Sequence, residues 1–145
     1  MSSESDKQAL VKYRLQQAEE SLEEARFLFS GNKSPRSVIN RAYYSMFYAI
    51  LALLIYEPYS SSKHSAVLTY FNRSFIKEGI FEKDLGRWVN RAFELRQRGD
   101  YREYFDLSLD EVAPYIQRAE GFLSAVREHL REKKGITYSW SNSFE

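Results

Sequence analysis

Apolar side chains recur along this chain at alternating steps of four and three residues, the spacing of one face of an α-helix. The first stripe runs from Val11 to Phe29, and an equivalent one runs from Val112 to Leu130. Two shorter stripes lie between them, and no segment sustains the two-residue alternation of a strand. The pattern therefore predicts an all-α fold without a sheet.

Capping residues, prolines and glycines divide the chain into helix-length pieces. Ser34 and Pro35 fit the N-cap and the first position of the second helix. Ser108 and Glu111 have the spacing of a capping box and open the fifth piece. Pro58 follows the second piece, and glycines follow the first, third, fourth and fifth pieces, at Gly31, Gly79, Gly99 and Gly135.

The 145 residues are enough for one domain with a core and too few to expect two. Because the connections between the pieces are short, consecutive helices should be antiparallel neighbours. The prediction is an antiparallel up-down bundle of four to five helices at 1–134, followed by an irregular tail at 135–145.

The second helix has an unusual distribution of apolar residues. In "AYYSMFYAILALLIY", at 42–56, apolar or aromatic side chains go almost all the way round, which indicates burial on all sides. A central place in the bundle would satisfy that need. A second copy of the chain is the simpler way to cover the remaining face, so we expect a homodimer through the helix at 34–56.

Composition excludes several classes of function. Lys plus Arg number 21 and Asp plus Glu number 20, so any nucleic-acid site must be a local basic patch. The chain has no cysteine and its two histidines lie far apart, so we expect no metal and no cofactor. Its first ten residues are polar, unlike a signal peptide, and the longest apolar run is too short to cross a bilayer. We expect a cytoplasmic protein without membrane partners.

The stretch "FELRQRGDYREYF", at 93–105, carries the first candidate chemistry. Arg96 lies four residues after Ala92, at the edge of an apolar stripe. A guanidinium group there is partly desolvated and needs partners. Asp100, four positions further on, is the nearest candidate.

A second arginine, Arg41, precedes Tyr44 and Tyr48 at helical spacing. One interpretation of Arg41 and Arg96 is a pair of structural ion pairs that fix helix register. The other is a pocket in which the arginines hold a phosphate while tyrosines stack on a base or ribose. Side-chain chemistry alone leaves both interpretations open.

Arg87, Arg91 and Arg98 share another face of the fourth helix with Glu94. The simplest interpretation is a solvated stripe of weak ion pairs. In the alternative, Arg91 and Arg98 add to the binding of an anionic substrate.

The two histidines differ in context. His64 lies near the start of the third helix, where the helix dipole disfavours its charged form, so it is a candidate general base as well as an ordinary capping-turn residue. His129 lies in a charged helix end, which predicts a solvated side chain that favours the cation.

Three segments together resemble the HEPN domain, in its small stand-alone branch from archaea and bacteria. They are "RAYYSMFYAILALL" at 41–54, "KHSAVLTYF" at 63–71 and "LGRWVNRAFELRQRGDY" at 85–101. The resemblance implies a helical bundle that dimerises. Many members are metal-independent endoribonucleases with an Arg followed, after four to six residues, by a His. Small members often act as toxins beside a minimal nucleotidyltransferase antitoxin that modifies a tyrosine, and others bind nucleotides without cleavage.

Carried onto this chain, the motif arginine falls on Arg96, which the resemblance implies holds the scissile phosphate beside Asp100 and Tyr101. The motif histidine is missing, since the three positions where it would stand are occupied by Tyr101, Arg102 and Glu103. A phenol with a pKa near ~10 is a poor base at neutral pH. Tyr101 or Tyr104 would be the tyrosine that a nucleotidyltransferase modifies.

These observations leave three hypotheses. The first is an RNA- or nucleotide-handling subunit of a toxin–antitoxin-like pair, which cleaves RNA with another base or has lost that activity. The second is a non-enzymatic helical dimer that binds a nucleotide or a protein partner. The third is a structural dimer whose arginines only set helix register.

Overall fold

The computed structural model describes residues 3–100 and 106–139, with Asp100 as backbone only. All regular structure in these ranges is helical, which confirms the all-α prediction. The first two helices are α1 (Glu4–Ser30) and α2 (Pro35–Leu54). The remaining elements are α3 (His64–Phe71) with a π-helical segment (Asn72–Ile76), α4 (Lys83–Asp100), α5 (Leu109–Val112) and α6 (Pro114–Lys134).

The helix starts follow the predicted caps. The side chain of Ser34 accepts a hydrogen bond from the backbone of Ser37, with Pro35 at the first position of α2. Ser108 and Glu111 form the reciprocal capping box of α5. The predicted fifth helix is interrupted only at Ala113, whose backbone angles stay right-handed helical, so α5 leads directly into α6.

Gly99 lies one residue before the end of α4, close to the predicted end of the fourth helix. It lies inside α4 and is buried. A Cβ atom at this position would stand 3.1 Å from Leu107 Cδ1 and 3.2 Å from Arg36 Cγ. The missing side chain at Gly99 therefore lets the end of α4 approach the start of α2 closely.

α2 is the central helix and packs against α1, α4 and α6. It runs antiparallel to α1, because Arg41 near its start pairs with Glu24, and Tyr56 beyond its end donates to Glu4 at 2.6 Å. Most of its side chains are buried within the single chain. One stripe stays half-exposed, and we call it the α2 stripe: Tyr44, Tyr48, Leu51 and Ile55.

The core between α3, the π-helical segment and α6 is aromatic. Phe71, at the end of α3, is fully buried, and its ring lies 5.5 Å from that of Phe122, centroid to centroid. The rings of Phe75 and Phe81 lie 5.8 and 6.0 Å from the ring of Phe71, again between centroids. This cluster fixes α3, and therefore the position of His64 at its other end.

The described part of the tail packs onto the bundle. Gly135 adopts a left-handed conformation with φ 66°, which ends α6 and turns the chain so that Ile136 is buried. Arg127 donates to the carbonyl oxygen of Tyr138 at 2.6 Å and to Glu19 at 3.0 Å. Across the described ranges, none of the helices combines the length and the apolarity needed to cross a lipid bilayer.

Candidate functional site

Arg96 lies on the inner edge of α4, where its guanidinium group packs on two tyrosine rings of α2. Its Cζ is 5.4 Å from the centroid of Tyr43 and 5.2 Å from that of Tyr44. Its Nη2 donates to the Tyr44 hydroxyl at 3.4 Å. Its Nε is buried without a hydrogen-bond partner among the described residues. A cation in this setting is held by ring faces and keeps a donor for another acceptor.

Arg41 reaches the same tyrosine from within α2. Its Cζ lies 5.0 Å from the Tyr44 ring centroid, and its Nη1 is 3.4 Å from Glu24. Asn40 also accepts from this guanidinium group, at 2.9 and 3.1 Å. The fold therefore places Arg41 and Arg96 at one aromatic ring, although they are far apart in the sequence.

His64, the first residue of α3, closes this cluster. Its Nδ1 lies 2.8 Å from the Tyr43 hydroxyl, and its ring stacks on Phe47 at 4.0 Å between centroids and 14° between planes. Burial lowers the pKa of His64, and the nearby charge of Arg96 lowers it further. At neutral pH the imidazole is therefore uncharged.

The hydrogen bond to Tyr43 decides which nitrogen of His64 is reactive. Burial raises the pKa of Tyr43 well above its usual value, so this hydroxyl stays protonated. It can donate to Nδ1, which leaves a proton on Nε2, or accept from an Nδ1–H group, which leaves a lone pair on Nε2. Either way the ring is held by Phe47 and Tyr43, and Nε2 is the atom that can exchange a proton with a ligand.

The other predicted arginines lie among surface ion pairs. Arg91 is exposed and pairs with Glu94 at 2.8 Å. Arg98 lies 4.0 Å from Glu111, at the start of α5. This arrangement matches the interpretation of a charged stripe. A role for Arg91 or Arg98 in substrate binding stays a prediction.

Three predicted site residues fall where side chains are not described. Asp100 is the last residue of α4 and is described as backbone only. Tyr101 and Tyr104 lie outside the described residues. The support of Arg96 by Asp100, a catalytic part for Tyr101 and the modification of either tyrosine therefore stay predictions.

The prediction for His129 was wrong. Its ring is half-buried and lies 5.2 Å from that of Phe81 and 6.2 Å from that of Phe75. Burial, followed by the charge of Lys133, lowers the pKa of His129, so its environment does not favour the cation. In the part of the chain that the structure describes, no three acidic or histidine side chains form a cluster able to hold a metal ion.

Sequence reasoning missed Tyr43 and Phe47, which hold His64. Both lie in a run of apolar and aromatic residues in which no single ring stands out. Their spacing of four residues places them on one face of α2, and this was the available signal. What it could not show is that the connection after α2 returns His64 to that face.

Comparison with known proteins gives consistent results. The family model described as the HEPN domain matches residues 11–129. A UPF0332 protein of Thermotoga maritima is 40% identical over 129 residues, which cover 89% of this chain and 97% of that protein. Two proteins of Methanocaldococcus jannaschii, named "Putative toxin MJ0142" and "Putative toxin MJ0605", are 32% and 35% identical over 82% and 79% of this chain. The matches cover 80% and 84% of those two proteins.

Proposed function

Because this chain belongs to the HEPN family, we propose that it is a toxin-like protein that binds RNA and cleaves it without a metal ion. Two of its relatives carry the word toxin in their names. The observation that carries the proposal is the convergence of Arg41 and Arg96 on the ring of Tyr44, with the neutral imidazole of His64 beside them. Two cations with a proton acceptor nearby are the elements that phosphodiester cleavage requires.

In the proposed mechanism, Arg96 and Arg41 bind the non-bridging oxygens of the scissile phosphate. His64 accepts the proton of the 2′-hydroxyl at Nε2 while the 2′-oxygen attacks phosphorus in line. The new bond joins the 2′-oxygen to phosphorus, and the bond from phosphorus to the 5′-oxygen breaks. The imidazolium then returns its proton to the leaving oxygen. The products are a 2′,3′-cyclic phosphate and a 5′-hydroxyl.

The test compares wild-type protein with Arg96→Ala on fluorescent single-stranded RNA in the presence of EDTA. We expect cleavage to fall by about 10²- to 10³-fold, since one positioned donor to the phosphate is lost. Arg87→Ala is the matched control, because it removes an exposed arginine of the same helix and should change the rate by less than about twofold. Thermal melts verify that both variants fold. Equal loss in the two variants would contradict the proposal.

A second candidate is a non-enzymatic member that binds nucleotide or a protein partner through the same residues. The absence of the motif histidine favours this second candidate. The positions after Arg96 where that histidine would stand are occupied by Tyr101, Arg102 and Glu103. Wild-type protein would then bind RNA or nucleotide without cleaving it, and Arg96→Ala would weaken binding. In either case the proposal includes a cytoplasmic toxin–antitoxin-like pair with a minimal nucleotidyltransferase. Copurification of the two proteins tests that pairing.

We also propose that a second copy of the chain packs along the α2 stripe, so that the proposed phosphate site lies at the edge of the interface. Four half-exposed apolar or aromatic side chains in one row form the kind of patch that marks an association site. Sedimentation equilibrium should give twice the chain mass of 17.1 kDa, and Tyr48→Glu should shift the protein toward the monomer. Ile80→Glu, which alters an exposed apolar residue outside the stripe, should leave the mass unchanged. A monomeric wild-type protein would refute this part of the proposal.

A further inference from the structure

A pocket of about 350 Å³ lies between α1, the end of α2 and the connection to α3. Phe47 and His64, which belong to the cluster around Arg96, also line this pocket. The pocket and the proposed phosphate site therefore share a wall. Its volume is at the small end of the range for small-molecule sites, roughly 300 to 1,000 Å³.

The pocket combines aromatic and aliphatic walls with a few polar groups. Phe47 is fixed by its stack on His64, and Tyr59 by a parallel stack on Tyr70 at 4.5 Å. Leu51 and Ile55, which also belong to the α2 stripe, add aliphatic surface at the edge of the proposed dimer interface, and the serines at 60–62 add hydroxyl groups. Rigid rings with a few polar groups at the rim suit a flat heterocycle better than a free inorganic anion.

Arg14 is the pocket residue that can read the edge of such a heterocycle. Its Nη1 donates to Gln17 at 2.9 Å, and its Nε is buried without a hydrogen-bond partner among the described residues. Nε and Nη2 form one side of the planar guanidinium group, a pair of parallel donors. Two adjacent acceptors match that pair, and O6 and N7 of guanine are the arrangement that arginine binds most often in nucleic acids.

Resting on the proposed function, we propose that this pocket binds a guanine base next to the phosphate held by Arg41 and Arg96. Leu51 of the pocket lies two helical turns beyond Tyr44 of the phosphate site, about 10 Å along α2. A nucleotide placed across the shared wall of Phe47 and His64 would reach both sites. The pocket would make the protein selective for guanine at one position of its RNA.

The experiment measures binding of GMP, AMP, CMP, UMP and inorganic phosphate to the full chain by isothermal titration calorimetry. We expect GMP to bind tightest, and Arg14→Met to reduce its advantage by about 5- to 100-fold, which is the discrimination expected of one bidentate pair. Arg41→Met is the matched control, because loss of a phosphate contact should weaken all four nucleotides alike and keep their order. Lys12→Met, which changes an exposed residue of α1, should alter neither the affinity for the nucleotides nor the preference for GMP.

The outcomes separate this proposal from the proposed function. Equal affinity for the four nucleotides, or Arg14-dependent binding of phosphate alone, overturns the guanine pocket. If RNA cleavage still depends on Arg96 in that case, the proposed function stands without the guanine pocket. A GMP preference that depends on Arg14, in a protein that leaves RNA intact, supports the pocket and contradicts the ribonuclease activity.

Discussion

In the variant His64→Asn, RNA cleavage should be about 10²- to 10⁴-fold slower than in the wild-type protein, the usual contribution of a general base. When Nε2 is the base, Nδ1–H donates to Tyr43; the asparagine amide can still donate this hydrogen bond, but it has no group that replaces Nε2 of the imidazole. Because Arg41 and Arg96 remain, the affinity for RNA should change little. The measurement is a single-turnover rate together with binding by fluorescence anisotropy.

His129→Asn is the matched control for this prediction. It removes the other histidine, which packs against Phe75 and Phe81 and takes no part in the cluster around Tyr44. Its rate should equal that of the wild-type protein. If His64→Asn cleaves as fast as this control, His64 is not the base. Continued dependence on Arg96 would then assign proton transfer to another group.

The same histidine predicts the pH dependence of the rate. Burial and the charge of Arg96 lower the pKa of His64 below the ordinary histidine value of 6.5, so the base form predominates at neutral pH. The rate should be flat above neutrality and fall on the acid side, as pH drops through the lowered pKa. A lowered folded-state pKa also means that the stability contribution of this group is present above pH 6.5 and is lost on acidification.

Arg96→Met isolates the electrostatic part of this shift. Burial is the larger cause of the lowered pKa and should persist in the variant, while the repulsion from the guanidinium group is removed. Proton NMR titration of His64 should therefore show a partial return toward the ordinary value. An unchanged titration would mean that the two groups do not interact.

Phe71→Ala should lower the free energy of unfolding by about 3 to 5 kcal/mol, the cost of emptying a fully buried aromatic site. The ring of Phe71 contacts those of Phe75, Phe81 and Phe122, which belong to three different parts of the chain and cannot all close the cavity. Urea unfolding followed by circular dichroism measures the effect. Cleavage should also weaken, because Phe71 anchors the eight-residue helix that begins at His64.

The control for this change is Phe27→Ala. Phe27 is 78% exposed, so its truncation should alter the free energy of unfolding by no more than about 0.5 kcal/mol. A Phe71→Ala variant that is as stable as Phe27→Ala would show that the aromatic cluster can repack. The role given to it in holding α3 would then be wrong.

Much of the fold could be predicted because its determinants are local. The helical period and the caps at Ser34 and Ser108 act within a few residues, and the structure has both caps. Gly99 shows where such reasoning ends. Whether a glycine stops a helix or admits a neighbour depends on what packs against it, and Arg36 comes from the start of α2, far from Gly99 in the sequence.

The candidate site, like the fold, could be predicted from the sequence only in part. The partial burial of Arg96 could be predicted from its place at the edge of an apolar stripe. Its meeting with Arg41, and the contact of His64 with Tyr43, required the tertiary packing of α2, α3 and α4. The mistaken environment of His129 has the same origin, since its sequence neighbours are charged but its contacts in space are Phe75 and Phe81.

The two guanidinium groups at Tyr44 also have a thermodynamic consequence. Their positions relative to that ring keep the two Cζ atoms within about 10 Å of each other. Because both groups are partly buried, their mutual repulsion is only partly screened at physiological salt. Of the two arginines, only Arg41 has a carboxylate partner among the described residues. An oligoanion would relieve this repulsion on binding. Its occupancy would then add to the stability of the folded chain as well as to recognition.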